Sequence, residues 1–202
     1  MIYENSKDEI LIFLFHPSFF NKLGVIFMEL DGKKIAILLA DDYEDIEFWY
    51  PYYRMKEANA DITVVGCVIS SDTLRGKRGY MVQVQMRTDK AEPDSFDAIL
   101  IPGGWAADRL SWCTSTLDFI RKAFDQNKVI SAISQGVWVL SAAGILKEKN
   151  VTSAPNIRDN IKIGGANWTD TEVVVDGNLI TSRSTADLPS FCKEIIKALS
   201  NK

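Results

Sequence analysis

The sequence predicts a single α/β domain built on a doubly wound, mostly parallel sheet that is sandwiched between helices. Short continuous apolar runs such as KIAILLA and FDAILI are typical of strands that are buried on both faces of a parallel sheet. Segments with helical spacing alternate with these runs from Lys33 onward. The 202 residues, 47% of them hydrophobic, suffice for one domain with a large core, and no repeat or linker divides them.

The first half of the domain contains four strand signals and one helix. KKIAILLA is a buried strand, DIEFWYPYYRMKEANA has helical spacing, and DITVVGCVI is the next strand. GKRGYMVQVQM alternates polar and apolar residues after a glycine-rich turn, which predicts a hairpin on the edge of the sheet. FDAILIPGG is a buried strand that ends in a glycine turn.

The second half continues the alternation. LDFIRKAFDQN is a helix, KVISAIS a buried strand, and GVWVLSAAGIL a helix with Gly144 near its end. TEVVVDGNLITS predicts two strands joined by an Asp-Gly turn. LPSFCKEIIKALSNK is a closing amphipathic helix.

The N-terminal segment, residues 1–27, is expected to be an extension to a domain that covers residues 28–202. Its apolar stretch is interrupted by Pro17, Asn21 and Lys22, short of the roughly 20 apolar residues that a membrane span needs. The residues before this stretch include Glu4, Asp8 and Glu9 in place of a positive region, which argues against a signal peptide. The sequence therefore predicts a protein that does not associate with membranes.

Charge and cysteine content exclude further classes. A formal charge of -4 and a pI near 5.1 argue against nucleic-acid binding, which needs clustered Lys and Arg. Cys67, Cys113 and Cys192 are odd in number and lack metal-ligand spacing, which favours a reducing, cytoplasmic compartment over a disulfide framework. Without a metal cluster, P-loop or dinucleotide fingerprint, we expect no metal and no obligatory cofactor.

The site is expected where the carboxyl ends of the strands meet, because ligands of open α/β sheets bind there. Three stretches come to this edge: ADDYEDIE, PGGWAADR and ISQG. The last of them, ISQG, is the tight turn in SAISQGVWVL that leads from a buried strand into a helix. Ser134 occupies that turn, in the position from which enzymes present a nucleophile.

These motifs together resemble the ThiJ/PfpI superfamily, in particular its intracellular-protease (PfpI) branch. The resemblance extends from about Lys33 to Leu199 and includes LLADDYEDIEFWYPYYRMKEA, FDAILIPGG, SAISQGVWVLSAAGIL and DGNLITSR. It implies a flavodoxin-like sandwich related to class I glutamine amidotransferases, assembled as homo-oligomers, either dimers or hexamers. Members are associated with peptidase, glyoxalase-like and protein-deglycase activities, which implies a small-molecule or peptide substrate.

The resemblance also implies roles for individual residues. The family has a cysteine on the sharp turn, usually followed by a histidine, and a glutamate after the first strand. Here Ser134 stands at the cysteine position, Gln135 at the histidine position, and Glu44 is matched to the glutamate. Asp108 is the counterpart of an acidic residue after PGG that orients a neighbouring subunit's histidine.

The two departures decide how much chemistry carries over. A cysteine at a helix N-terminus can be a thiolate near neutral pH, whereas a serine must lose its proton to a base during the attack. The single histidine, His16, lies in the N-terminal extension. Gln135 cannot shuttle a proton. Glu44 is therefore the predicted base, and the alternative is a solvated acid in the first turn of a helix.

Other residues near the site have two interpretations each. The amides of Gly103, Gly104 and Gln135 are candidate oxyanion donors, although a glycine turn needed only for backbone geometry explains the PGG motif equally well. Asp108 is either a residue directed at another subunit or an ordinary helix cap or surface acid. Cys113 is expected to be a packed thiol, and the preferred interpretation of Arg183 is a structural ion pair.

Two functions of different class remain. In the first, the protein is a hydrolase or carbonyl-processing enzyme in which Ser134, assisted by Glu44, replaces the thiol. In the second, it is a non-catalytic member whose cleft binds a small metabolite or whose assembled surface is a scaffold. A hydrogen bond between Glu44 and Ser134 in an enclosed, polar pocket would favour the first function, and a pocket filled by Gln135 or Trp138 would favour the second.

Overall fold

A computed structural model describes residues 28–201, and the predicted extension over residues 1–27 lies outside the described residues. A seven-stranded sheet runs through the domain in the order β10-β11-β7-β6-β1-β2-β5. All neighbouring strands are parallel except the hairpin β10–β11. The strands span Lys34–Leu39 (β1), Asp61–Gly66 (β2), Thr73–Arg75 (β3), Met81–Gln83 (β4), Met86–Arg87 (β5), Ala98–Ile101 (β6), Val129–Ile133 (β7), Asn150–Val151 (β8), Asn167–Trp168 (β9), Val173–Asp176 (β10) and Leu179–Ser182 (β11).

Six α-helices accompany the strands between residues 28 and 201. They span Asp45–Glu57 (α1), Ala106–Ser111 (α2), Thr114–Asp125 (α3), Gly136–Ala142 (α4), Arg158–Ile163 (α5) and Leu188–Ser200 (α6). Helices α1 and α6 contact each other, and α2, α3 and α4 form a second group in mutual contact. A doubly wound sheet has such groups on its opposite faces, so the predicted α/β sandwich is confirmed.

The core lies where the central strands are buried on both faces. Every residue of β6 and β7 is buried, and β1 is buried beyond its first residue. This burial explains why these segments are continuous apolar runs without alternation. At their carboxyl ends the chain must turn within two or three residues, and these turns carry the polar residues of the site.

The sequence predicted a hairpin at the edge of the main sheet, and this position is wrong. Strands β3 and β4 form a separate two-stranded antiparallel sheet, and the edge of the main sheet is the short strand β5. The turn of the hairpin packs on the loop after β1: Lys77 donates its N–H to the carbonyl of Tyr43, and the N–H of Asp42 donates to the carbonyl of Arg75. The alternation within the strands signalled a hairpin but not this packing partner.

Two of the three cysteines are paired, which the sequence did not predict. Cys67, directly after β2, is joined to Cys113, directly before α3, by a disulfide. The expectation of unpaired cysteines and of a packed thiol at Cys113 is therefore wrong. The two residues are 46 positions apart, and only the fold brings them together. Within the described part of the chain, no helix is both long and apolar enough to cross a membrane.

Candidate active site

Ser134 occupies a sharp turn between β7 and α4. Its φ is +59°, in the left-handed region that non-glycine residues rarely adopt. The turn is held by the N–H of Ser134, which donates to the carbonyl of Ser182 at 3.0 Å. Two residues later, a Cβ on Gly136 would lie 2.4 Å from the carbonyl oxygen of Ile101, so only glycine fits there. The strained turn and its neighbours therefore present Ser134 at the carboxyl edge of the sheet.

Glu47 is the carboxylate that lies beside this turn. It belongs to the first turn of α1, is 2% exposed, and shares the buried face of the helix with Phe48, Pro51 and Met55. The N–H of Gly103 donates to its Oε2 at 2.8 Å. A Cβ on Gly103 would lie 2.5 Å from that oxygen and 2.9 Å from the Cβ of Ser134. Gly103 thus permits the close approach of carboxylate and serine.

Burial raises the pKa of Glu47 from 4.5 to about 7. The N–H of Gly103 opposes this increase in pKa, the charge of Glu44 adds to it, and the hydroxyl of Ser134 opposes it. A carboxyl group with a pKa near 7 is divided between its two protonation states at neutral pH. It can therefore accept a proton from Ser134 or donate one to a neighbouring oxygen.

The structure does not bring Glu44 to Ser134. Glu44 is the residue before α1, and its Oε2 is 2.8 Å from the Nζ of Lys77 in an ion pair on the hairpin turn. Its position outside the helix directs the side chain to the hairpin, whereas Glu47, three residues later, lies on the core face. The carboxylate beside the turn is therefore Glu47 and not the predicted Glu44, which pairs with Lys77 instead. The apolar spacing of Phe48, Pro51 and Met55 was the signal in the sequence that could have identified Glu47.

Gln135 fills the space in front of Ser134. Its side-chain Oε1 accepts the hydroxyl of Ser134 at 2.7 Å and the N–H of Gly104 at 3.3 Å, and its Nε2 donates to Asn156 Oδ1 at 3.4 Å. The Oε1 atom thus occupies a position between nucleophile and amide donor where a substrate carbonyl oxygen would bind. A substrate must displace this carboxamide to reach both groups.

The predicted oxyanion donors do not behave alike. The N–H of Gly103 is committed to Glu47, so this glycine is not available as a donor, contrary to the sequence prediction. Gly104 adopts φ +83°, and a Cβ there would lie 2.4 Å from the backbone nitrogen of Glu44. Its conformation is therefore restricted to glycine, and its N–H is directed at the oxygen that Gln135 now supplies.

The three predicted stretches do meet. Tyr43 forms an isolated bridge with Gly104, and the N–H of Trp105 donates to the carbonyl of Asp42 at 3.0 Å. Asp108 is exposed on α2, and its Oδ1 accepts the indole N–H of Trp112 at 3.4 Å. Within this chain Asp108 therefore lies on the surface and not in the site.

Arg183 forms the structural ion pair that the sequence favoured. Its guanidinium contacts Asp187 at 3.0 Å and Asp170 at 2.6 Å. Among residues 28–201, no group of three or more His, Cys, Asp or Glu side chains is arranged to hold a metal ion.

The raised pKa of Glu47 predicts a pH-dependent stability. Between pH 4.5 and 7 the folded protein retains a proton that the unfolded chain has lost, so the free energy of unfolding decreases as the pH rises through this window. The shift corresponds to about 3 kcal/mol. Glu47→Gln is expected to remove most of this decrease and to stabilise the protein above pH 7. Urea unfolding at a series of pH values measures it. Glu44→Gln is the control, and an equal flattening there would contradict the assignment.

Comparisons with known proteins show the family and agree with the fold. The model of the DJ-1/PfpI family matches residues 33–198. A deglycase of Pyrococcus horikoshii and deglycase PfpI of Pyrococcus furiosus are each 38% identical over 166 residues, which is 82% of this chain and 99% of each relative. A two-domain protein of Anabaena variabilis with DJ-1/ThiJ/PfpI-like and ferritin-like domains is 36% identical with a TM-score of 0.80, over 83% of this chain and 48% of that one. Schizosaccharomyces pombe DJ-1 is 26% identical with a TM-score of 0.74, over 81% and 90%.

Proposed function

Because this chain belongs to the DJ-1/PfpI family, we propose that it is a deglycase-like enzyme that processes carbonyl compounds, with Ser134 as nucleophile and Glu47 as its base. The observation that supports this most is the buried carboxyl group of Glu47 beside a serine on a strained turn. The relatives named deglycases support carbonyl processing. The substrate class that we propose is a small 2-oxoaldehyde or the adduct that it forms with an amine.

The first step is an attack on a carbonyl carbon. The Ser134 oxygen bonds to this carbon while its proton passes to the Glu47 carboxylate, and the carbonyl oxygen becomes an oxyanion. The N–H of Gly104 receives this oxygen once Gln135 has moved aside, and the N–H of Gln135 itself is the second donor. Protonated Glu47 then gives its proton to the oxyanion, which leaves a neutral hemiacetal on Ser134. With a 2-oxoaldehyde, the Glu47 carboxylate next removes the hydrogen of this carbon as a proton and delivers it to the neighbouring carbonyl carbon through an enediol, so that an ester of Ser134 with a 2-hydroxy acid forms. Water attacks the ester, the bond between its carbon and the Ser134 oxygen breaks, and Ser134 recovers its proton through Glu47.

Turnover of methylglyoxal tests this function, with peptide hydrolysis as a second measurement. We expect slow consumption of methylglyoxal that exceeds the rate with heat-denatured protein, because a neutral serine is a weaker nucleophile than a thiolate. We expect no comparable peptide cleavage. Peptide cleavage without methylglyoxal consumption would favour the peptidase-like alternative, and absence of both would contradict catalysis.

One observation favours a second candidate function. The Gln135 carboxamide already accepts hydrogen bonds from the Ser134 hydroxyl and the Gly104 N–H. This arrangement suits a non-catalytic family member whose cleft binds a small metabolite or whose assembled surface is a scaffold. Calorimetric titration with a small carbonyl compound separates the two functions. Binding without turnover in both the wild type and Gln135→Ala supports the second candidate, whereas turnover that increases in Gln135→Ala supports the enzyme.

We further propose that the chain forms a homo-oligomer through the exposed aromatic face of α1 and the hairpin. Tyr53 and Tyr80 are 62% and 64% exposed, and Ile46 and Met81 are about half exposed. These four residues line one cavity of about 830 Å³ together with Trp49. Aromatic residues and methionine are enriched in protein interfaces, which supports a second copy as the occupant of this face.

Light scattering after size-exclusion chromatography measures the oligomer. Ile46→Glu is expected to shift the wild-type assembly to monomers, since a buried charge without a partner is costly. Ile163→Glu is the matched control, because Ile163 is 85% exposed on α5, far along the chain from this face. A monomeric wild type, or equal behaviour of the two variants, would contradict the proposed interface.

A cytoplasmic location remains part of this proposal and is tested by cell fractionation. In the cytoplasm most cysteine pairs are kept reduced. A cytoplasmic location therefore requires that the Cys67–Cys113 disulfide either resists reduction or exists there partly as two thiols.

A further inference from the structure

The cysteine pair Cys67–Cys113 is a chemical group that the proposed function does not use. Both residues are nearly buried, with 3% and 6% of their surfaces exposed. The disulfide links the end of β2 to the junction between α2 and α3. Cys67 is followed by Val68 and Ile69, of which Ile69 is 89% exposed, so the pair lies directly beneath a solvent-facing loop.

Two hydroxyl groups lie close to the sulfur of Cys113. The hydroxyl of Ser115 lies 3.4 Å from its sulfur and that of Thr88 3.9 Å. The two hydroxyls are 2.6 Å apart and hydrogen-bonded to each other, so one of them donates to the other and the second donates to the sulfur. Cys113 also immediately precedes α3, a helix of 12 residues with no acidic residue in its first turn. A sulfur that accepts a hydrogen bond from a hydroxyl is the better leaving group of the pair when the disulfide is attacked.

We propose that Cys67 and Cys113 form a reversible redox site that exchanges with small thiols and disulfides. The thiolate of a small thiol attacks the sulfur of Cys67, and the bond between the two protein sulfurs breaks. Cys113 leaves as the stabilised thiolate. A second small thiol then attacks the mixed disulfide, releasing Cys67 as a thiolate and a small disulfide. Two electrons pass to the protein pair, and a small disulfide reverses the reaction.

The redox state of the pair affects the segment that leads to the active site. The turn Gly103–Gly104 continues directly into α2, and α2 ends two residues before Cys113. The disulfide ties the far end of this helix to β2. Its reduction releases the junction after α2 and the loop that follows Cys67, where Arg87 holds the carbonyls of Cys67 and Ser71.

Thiol counting in redox buffers tests the proposal on the native wild-type chain. The protein is equilibrated at a series of ratios of reduced to oxidised dithiothreitol, and the exchange is then quenched with acid. The quenched protein is denatured and alkylated, and the number of alkylated thiols is determined by mass spectrometry. We expect a transition between one and three alkylated thiols without denaturant. Cys192 is the constant thiol because it is buried and its pKa is raised to about 12, chiefly by burial.

Two variants test the assigned roles. Ser115→Ala is expected to slow reduction about fivefold, because the thiolate of Cys113 loses a hydrogen-bond donor. Ser111→Ala is the matched control on the same segment, since its hydroxyl bonds to the carbonyl of Asp108, and its rate is expected to stay within about twofold of the wild type. Fluorescence of exposed Trp112, the neighbour of Cys113, follows the reaction without alkylation.

Three results would overturn the proposal. The pair could stay as thiols at every ratio, it could be reduced only in denaturant as a permanent structural crosslink is, or Ser115→Ala could react as fast as Ser111→Ala. None of these results depends on the proposed enzymatic activity, so the two proposals stand or fall separately.

Discussion

Ser134→Cys is expected to create a thiol at the turn that reacts with iodoacetamide about tenfold faster than an unperturbed cysteine at neutral pH. The turn directs the side chain to the carboxyl edge of the sheet, and the start of α4 lowers the pKa of a thiol placed there. The same variant is expected to increase kcat/KM for methylglyoxal about 100-fold, because a thiolate needs no proton transfer before it attacks. Alkylation of the wild type is expected to modify no residue at this turn.

Ser131→Cys is the matched control for this variant. Ser131 is fully buried on β7, three residues before the turn, and its hydroxyl donates to the carbonyl of Ile99. A thiol there is expected to resist alkylation in the native state. An unreactive thiol in Ser134→Cys would mean that the side chain at this turn is not accessible to carbonyl compounds, and the proposed nucleophile would have to be abandoned.

Glu47→Gln is expected to lower kcat/KM for methylglyoxal about 100-fold, the usual effect of losing a general base. The amide keeps the size of the side chain and an oxygen for the N–H of Gly103 but cannot accept the proton of Ser134. Because Glu47 has a pKa of about 7, wild-type activity should increase as the pH rises through 7, when the carboxylate form becomes dominant. The residual activity of the variant should lack this increase.

Glu44→Gln distinguishes the role of Glu44 from that of Glu47. Its loss removes an ion pair with Lys77 that is partly exposed, so the activity is expected to change by less than about threefold. A larger loss in Glu44→Gln than in Glu47→Gln would reinstate Glu44 as the base. A wild-type profile that decreases above pH 7 would indicate that protonated Glu47 acts as an acid in the slow step.

The fold was predictable because its strands are buried on both faces. Strands β6 and β7 admit only apolar or small residues, and this constraint is visible as continuous runs in the sequence. The turn at Ser134 was predictable for the same reason, since a buried strand passes directly into a helix. The position of the β3–β4 hairpin was not, because the hairpin contributes mainly its own backbone N–H and C=O groups to the contacts with the segment after β1, and such groups leave no pattern in the sequence.

The details of the site depend on distances that spacing does not reveal. Glu44 and Glu47 are both acids near the start of α1, and only the direction of each side chain separates one that pairs with Lys77 from one that is buried. The bond from Ser134 to the Gln135 carboxamide depends on the strained turn. The pairing of Cys67 with Cys113 depends on the positions of two separate elements.

The comparison of Ser134→Ala with the wild type in methylglyoxal turnover tests the central claim most directly. Ser131→Ala is the control for general effects of removing a buried serine hydroxyl from this strand. We predict measurable consumption by the wild type and by Ser131→Ala, and none above background by Ser134→Ala. Equal turnover by Ser134→Ala and the wild type would contradict a nucleophilic role for Ser134.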